Sequence, residues 1–175
     1  MMRKITLMAV GIFLLTATTH ALALNGGTGV KVALVDAQGL RVGTATLTQL
    51  RKGVRIKLEV FNMPPGVHAF HIHAVGKCDP PDFKSAGGHF NPAGKKHGHK
   101  NPEGAHAGDL PNLVVDQTGT GSLITVAQGV TLGEGKNSLF QPEGTSLVIH
   151  EKEDDEMTDP AGNAGARIAC GVIAR

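Results

Sequence analysis

The stretch that decides the fold of this chain is Val67-His68-Ala69-Phe70-His71-Ile72-His73-Ala74-Val75. It has the composition of a β-strand, and side chains two residues apart on a strand point to the same face. His71 and His73 are therefore expected to lie side by side. Two imidazoles on a rigid strand hold a metal ion without the entropy cost of ordering a loop. The stretch predicts both a strand and half of a metal site.

The rest of the chain also favours strands over helices. No long segment repeats apolar residues at three- to four-residue spacing, and 24 residues are glycine. Strand-like segments alternate instead with turn material such as Pro64-Pro65-Gly66. This pattern predicts one all-β domain, an eight-stranded β-sandwich or flattened barrel. The predicted strands cover residues 30–35, 41–50, 54–60, 67–75, 112–116, 120–127, 145–150 and 167–174.

Two long irregular segments, 76–111 and 151–166, interrupt the predicted strands. Loops of this length in a compact domain are normally functional or disordered. The first loop carries candidate metal ligands in His89, His97, His99, His106 and Asp109. Three of these imidazoles, without His99, suit a closed tetrahedral zinc site together with the carboxylate, and such a site would hold a loop poor in apolar residues. The alternative is a solvated, histidine-rich surface.

The strand pair needs further ligands, and His150 supplies one at the end of the apolar run Leu147-Val148-Ile149. An all-imidazole set favours copper(II) over zinc, because nitrogen ligands in tetragonal geometry stabilise that ion. By spacing alone the signal is moderate. Two ordinary histidines on a half-exposed strand remain the alternative.

The N-terminus has the features of a secretory signal peptide covering residues 1–23. Arg3 and Lys4 precede an apolar stretch over residues 5–18, and Ala21-Leu22-Ala23 forms a small-residue cleavage site. The mature domain is then 24–175, periplasmic or secreted, without stable membrane association, although an uncleaved anchor is the alternative. Removing two of the 17 basic residues leaves 15 against 15 acidic ones. A neutral chain without a basic run argues against a nucleic-acid partner.

The sequence contains two cysteines, Cys78 and Cys170. In an exported chain the default fate of such a pair is oxidation, so we predict a disulfide between them. It would close a loop of roughly 90 residues, which the chain-entropy relation values at about 4–5 kcal/mol. Two buried free thiols are the alternative.

Five motifs follow one another along the chain, namely GVHAFHIH at 66–73, GGHFNP at 87–92, HAGDL at 106–110, LVIHEK at 147–152 and GNAGARIACG at 162–171. Together they resemble the copper-zinc superoxide dismutase family, and the likeness covers nearly the whole mature chain. This resemblance implies an antiparallel Greek-key arrangement of the strands and two long functional loops. It also implies an enzyme that dismutates superoxide to oxygen and hydrogen peroxide, and it allows a homodimer.

The resemblance assigns one copper and one zinc per subunit. The implied copper ligands are four histidines, His71, His73, His89 and His150. The implied zinc ligands are His89, His97, His106 and Asp109. The ring of His89 would thus bridge the two ions as an imidazolate, lose contact with copper during turnover and take up a proton.

Two further residues gain roles from the resemblance. Asp154 would accept hydrogen bonds from the outer nitrogens of His71 and His97, which fixes the orientation of both rings. Arg167 would bind the arriving superoxide anion through its planar fork of donors. By contrast, His68 is expected to pack and hydrogen-bond at the strand start, and His99 to be solvated.

The loops depart from the better-known eukaryotic enzymes and resemble those of bacterial secreted forms. The segment after Cys78 is longer, and the segment 155–165 is shorter. This departure leaves the eukaryotic dimer interface and its lysine-based substrate guidance uncertain for this chain. Two other functions compete with the dismutase. One is a non-catalytic copper carrier on the same fold, and the other is a zinc hydrolase, for which the closed zinc set leaves no open water position.

Overall fold

The computed structural model describes Met1 and residues 29–175. The predicted signal peptide and its cleavage point lie outside these residues, apart from Met1, and stay predictions. Within residues 29–175, no helix is both long and apolar enough to span a membrane.

Nine antiparallel strands form a single sheet. Their order in the sheet is β4-β6-β7-β3-β2-β1-β9-β8-β5, so both outermost strands are consecutive in the chain and the sheet curls into a nearly closed barrel. The β3–β4 connection passes two strands, which is a Greek-key crossing, and the all-β prediction is confirmed. The strands are β1 (Val30–Asp36), β2 (Arg41–Leu50), β3 (Gly53–Val60), β4 (Gly66–His68), β5 (Phe70–His73), β6 (Leu113–Val115), β7 (Gly121–Ala127), β8 (Thr145–His150) and β9 (Arg167–Ile173).

The structure has nine strands rather than eight because the predicted strand 67–75 is divided at Ala69. β4 pairs with β6, whereas β5 pairs with β8. Between them, the Ala69 N–H donates to the Lys152 carbonyl at 2.7 Å, and its carbonyl accepts from the His150 N–H at 2.9 Å. The chain therefore changes partners where the barrel closes, and a composition pattern has no signal for such a switch.

The two predicted irregular segments are present, and the structure adds a third, 128–144, between β7 and β8. This third loop is attached to the end of the β2–β3 hairpin, since Thr131 Oγ1 and the Leu132 N–H both donate to Gln49 Oε1, at 3.0 and 2.6 Å. The first loop contains one short 3₁₀ helix, Lys84–Ala86.

Alternation along the strands builds the barrel interior. On β3, residues Val54, Ile56, Leu58 and Val60 are buried, while the residues between them are exposed. β5 departs from this alternation because all four of its residues are buried. Phe70 and Ile72 belong to the hydrophobic core. His71 and His73, which alternate with them, therefore face the other side, where the long loops cover the sheet.

The predicted disulfide is confirmed, since Cys78 and Cys170 are bonded and the residues that the structure describes include no free cysteine. The bond fastens the first loop to β9. A small apolar cluster of Phe83, Ala86 and Val148 packs around Cys170.

We expect the double variant Cys78→Ser/Cys170→Ser to unfold with a free energy lower by up to about 4–5 kcal/mol, because the unfolded chain regains the entropy of an open loop. Denaturant unfolding with and without a reducing agent measures this difference. A reducing agent should destabilise the native protein and leave the double variant unchanged. Two free thiols titrated in the unreduced native protein would contradict the pairing.

Candidate metal centre

Four histidines converge on the loop-covered side of the barrel, and one nitrogen from each lies within 4.8 Å of the others. Two come from β5 and one from the end of β8, which are adjacent strands; the fourth, His89, comes from the first loop. All four side chains are buried or nearly so. The structure therefore brings together the four predicted copper ligands, His71, His73, His89 and His150.

Backbone carbonyls determine which nitrogen of His73 and of His150 faces this cluster. His73 Nδ1 donates to the Gly87 carbonyl at 2.9 Å, and His150 Nδ1 lies 3.4 Å from the Gly165 carbonyl. Their Nε2 atoms are then the ones that face each other, 3.3 Å apart. Because each Nδ1 carries the proton, each Nε2 presents a lone pair. Two lone pairs at this distance suit a shared cation.

Two further ring nitrogens in the cluster are buried and lack a hydrogen-bond partner among the described residues, His71 Nδ1 and His89 Nε2. A buried polar atom without a partner carries a free-energy penalty, so such atoms are rare in folded proteins. A metal ion bound by all four rings would satisfy both atoms at once. The donor set thus fits a copper ion.

A second cluster surrounds one oxygen of Asp109. Its Oδ1 lies 2.8, 3.1 and 3.2 Å from the Nδ1 atoms of His89, His97 and His106. The edge of a tetrahedron with metal–nitrogen bonds of about 2.0–2.1 Å is roughly 3.3 Å, so these separations suit zinc. The other oxygen, Oδ2, accepts from the N–H groups of Gly98 and His106, both at 2.9 Å, which fixes the carboxylate.

His89 belongs to both clusters. Its Nδ1 faces Asp109 in the second cluster, and its unpartnered Nε2 faces the first. One ring therefore presents its two nitrogens to two candidate ion positions, which is the arrangement that the family resemblance implies.

Asp154 forms a hydrogen bond with one histidine of each cluster. Its Oδ2 accepts from His71 Nε2 at 2.7 Å, and its Oδ1 accepts from His97 Nε2 at 2.9 Å. Asn112 holds Asp154 in place through two hydrogen bonds to its backbone, of 2.9 and 3.0 Å. Because Nε2 of each histidine donates a hydrogen bond to Asp154, each ring keeps its Nδ1 for a metal ion.

The electrostatics of the two clusters differ. Burial lowers the pKa of His89 to about 4 and that of His150 to about 3, so both rings are neutral ligands near pH 7. Burial also disfavours a charged His97, but hydrogen bonds to Asp109 and Asp154 outweigh it and raise the pKa to about 9. Asp109 is buried, yet its three histidine contacts hold its pKa well below the usual range. The Asp109 cluster therefore favours a positive charge at its centre.

Gly162 makes room for the Asp154 bridge. A Cβ atom there would lie 1.8 Å from Asp154 Oδ1 and 2.8 Å from His97 Nε2, and its φ of +61° already favours glycine. No residue other than glycine fits beside this carboxylate. Sequence reasoning overlooked this position, although it lies at the start of the GNAGARIACG motif.

We expect Gly162→Ala to displace Asp154 and weaken retention of both metals by about 10–100-fold, the usual cost of disturbing a residue that orients ligands. Gly94→Ala is the matched control, because Gly94 has a φ of +63° and nothing within 4 Å of an added Cβ. The control variant introduces an alanine at a similar positive φ, but its added Cβ atom contacts nothing. Metal content after dialysis against a chelator compares the two variants, and equal losses would exclude the clash as the cause.

Arg167, at the start of β9, lies next to the first cluster. Its Nη1 donates to the Phe83 carbonyl at 2.7 Å, and its Nη2 donates to the Gly87 carbonyl at 2.6 Å. The Gly87 carbonyl also accepts from His73, so one peptide group orients both side chains. The half-buried guanidinium keeps further N–H donors for an anion.

Two further histidines among the described residues, His68 and His99, lie outside both clusters. The two ring nitrogens of His68 are each 2.8 Å from a carbonyl oxygen, of His150 and Pro64, which agrees with a packing role. His99 is exposed, and its Nε2 lies 3.3 Å from the Asp109 carbonyl. The roles of Asn112 and of the Gly87 and Gly165 carbonyls could not be predicted from the sequence, because a lone asparagine forms no motif and a backbone carbonyl has no residue type to recognise.

Comparisons with known proteins identify the family of this chain. The family model for copper/zinc superoxide dismutase matches residues 41–173. Superoxide dismutase [Cu-Zn] 1 of Aquifex aeolicus is 58% identical over 80% of this chain and 84% of its own length, and Superoxide dismutase [Cu-Zn] 2 of that organism is 48% identical over 98% and 99%. The crystal structure of a superoxide dismutase-like protein from Bacillus subtilis has a TM-score of 0.80 at 42% identity, covering 83% of this chain and 99% of that one. This chain belongs to the copper/zinc superoxide dismutase family.

Proposed function

We propose that this chain is a superoxide dismutase that uses one copper and one zinc ion. The observation that carries the proposal is His89, whose two nitrogens face two separate donor sets while its Nε2 is buried and unpartnered. A fold maintained for packing alone has no reason to bury such an atom. Family membership supplies the reaction class, and the paired donor sets support it.

We assign copper to the four-histidine cluster and zinc to the Asp109 cluster. Nitrogen ligands in an open arrangement suit copper(II), whereas three imidazoles and a carboxylate fill all four positions around zinc. A zinc ion with four protein ligands has no position for a reacting water, which argues against a hydrolase. Its role is to hold the first loop and to fix His89.

Copper, when bound, supplies the one-electron chemistry: one superoxide gives up an electron and leaves as oxygen, and a second takes that electron with two protons and leaves as hydrogen peroxide. His89 Nε2 is positioned to hold one of these protons, because it is buried without a hydrogen-bond partner among the described residues while the Nδ1 of the same ring faces Asp109. Arg167 orients the anion with N–H donors that its two carbonyl contacts leave free.

The competing function is a copper carrier on the same fold. The Bacillus relative, named only as superoxide dismutase-like, indicates that the family name alone does not settle this choice. A carrier needs neither a ring shared between two sites nor an arginine beside copper. Both features are present here, and they favour the enzyme.

We also propose that the protein is exported to the periplasm or secreted after cleavage near residue 23. The predicted signal peptide supports this proposal, and so does the disulfide, which persists in oxidising compartments. N-terminal sequencing of the protein from an extracytoplasmic fraction tests it. The homodimer stays a prediction for which light scattering is the measurement.

The decisive experiment combines metal analysis with superoxide consumption on the same purified protein. We expect equimolar copper and zinc, rapid consumption of superoxide, and loss of activity in parallel with copper when a chelator removes it. Copper and zinc at full occupancy without superoxide consumption would favour the carrier.

A further inference from the structure

A pair of opposite charges lies beside Arg167 on the disulfide-bonded loop. Asp82 Oδ2 and Lys84 Nζ are 2.7 Å apart, and their side chains are 52% and 83% exposed. Phe83, the residue between them, is fully buried, and its carbonyl accepts the hydrogen bond from Arg167. The backbone that carries the charge pair is thus fixed to the guanidinium.

We propose that Asp82 restrains the rate of superoxide capture, because its carboxylate neutralises Lys84 and offsets part of the positive field that Arg167 presents to the arriving anion. This inference rests on the proposed function. It makes Asp82 a residue that limits substrate capture, although it touches neither metal site.

The charges of Asp82 and Arg167 act on one another. Burial lowers the pKa of Arg167, and the Asp82 charge opposes that shift. In the other direction, the hydrogen bond with Lys84 lowers the pKa of Asp82, and the charge of Arg167 adds to the effect. Asp82 is therefore ionised near pH 7, and its negative charge is felt at the guanidinium.

Asp82 also has a structural role that must be separated from its charge. Its Oδ1 accepts from the Lys84 N–H at 3.1 Å, at the first residue of the 3₁₀ helix. An asparagine keeps a carbonyl oxygen for this bond and removes only the charge. Asp82→Asn therefore tests the field without disturbing the backbone.

The expected magnitude follows from the interaction of two unit charges. At about 10 Å in water they interact strongly enough to change a capture rate about twofold. Salt reduces this effect, since the screening length is about 30 Å at 0.01 M ionic strength and about 3 Å at 1 M.

The experiment uses the metal-loaded protein and compares Asp82→Asn, Lys84→Met, the double variant and Glu59→Gln. Glu59 is the matched control, because it forms an exposed 2.9 Å pair with Lys57 on β3, a strand that neither neighbours β5 nor β8 in the sheet. The measurements are metal content, kcat/KM for superoxide at low and high ionic strength, and the dissociation constant of azide, a small anion that reports on the copper site.

We expect Asp82→Asn to raise kcat/KM about twofold at low ionic strength and to tighten azide binding by a similar factor. Lys84→Met should lower both, the double variant should lie near the native protein, and the differences should vanish at high salt. An unchanged or lower rate for Asp82→Asn overturns the inference, and so does a gain that persists at high salt or appears equally in Glu59→Gln. An inactive native protein would instead refute the proposed function.

Discussion

We expect His106→Ala to lower the affinity for zinc by more than about tenfold, while copper stays bound. His106 Nδ1 lies 3.2 Å from Asp109 Oδ1, and its ring belongs to the Asp109 cluster alone. Without zinc, the first loop loses one of its attachments and His89 is held from one side only. Activity should therefore fall even in copper-loaded protein. Elemental analysis after dialysis, together with thermal unfolding, measures these effects.

His99→Ala is the matched control for this prediction. It removes a histidine from the same loop, but His99 is exposed and lies outside both donor sets. We expect its zinc content and unfolding temperature to stay close to those of the native protein. Loss of copper with retention of zinc in His106→Ala would show that the two sites are assigned the wrong way round.

We expect Arg167→Glu to reduce the superoxide rate by at least roughly tenfold while the copper and zinc contents stay unchanged. Arg167 donates to two loop carbonyls and is absent from both donor sets, so metal retention does not depend on it. Reversing its charge repels the anion and removes the donors that orient it. Added salt should lower the activity of the native protein, because it screens the attraction.

Arg55→Glu serves as the control for charge reversal, since Arg55 is an exposed arginine on β3 and its outward side chain contacts neither donor set. Its activity should remain within about twofold of the native value. If Arg167→Glu is as active as the native protein with both metals verified, Arg167 has no role in capture and the copper carrier becomes the better interpretation.

The strand pattern of the sequence predicts most of the fold. Residues 54–60 form a strand as predicted, and their side chains alternate between buried and exposed because one face of a barrel strand meets the core and the other meets solvent. The predicted strand 67–75 is divided in the structure, because the pairing partner changes at Ala69, and all of β5 is buried. Composition records which residues favour a strand, but it does not record which strand is the neighbour.

The candidate metal ligands could also be predicted from the sequence. Every predicted ligand lies in one of the two clusters, and Asp154 contacts the two histidines that the resemblance named. The groups that hold those ligands in position could not be predicted from it. Gly162 and the Gly87 carbonyl act through the space and the backbone they provide, which depends on segments distant in the chain.

The all-β class, the disulfide partners and the candidate metal-binding side chains could be predicted from the sequence, because these follow from residue chemistry and from short-range alternation, whereas the shared role of His89 came from the family resemblance. The folded structure was needed to show which nitrogen of each ring is free, since that depends on which carbonyl or carboxylate occupies the other nitrogen. It also decided that Asp82 and Lys84 lie beside Arg167. Some of these contacts join residues more than 80 positions apart, such as His71 with Asp154 and Arg167 with Phe83, and they exist only once the barrel has closed and the loops are fastened to it.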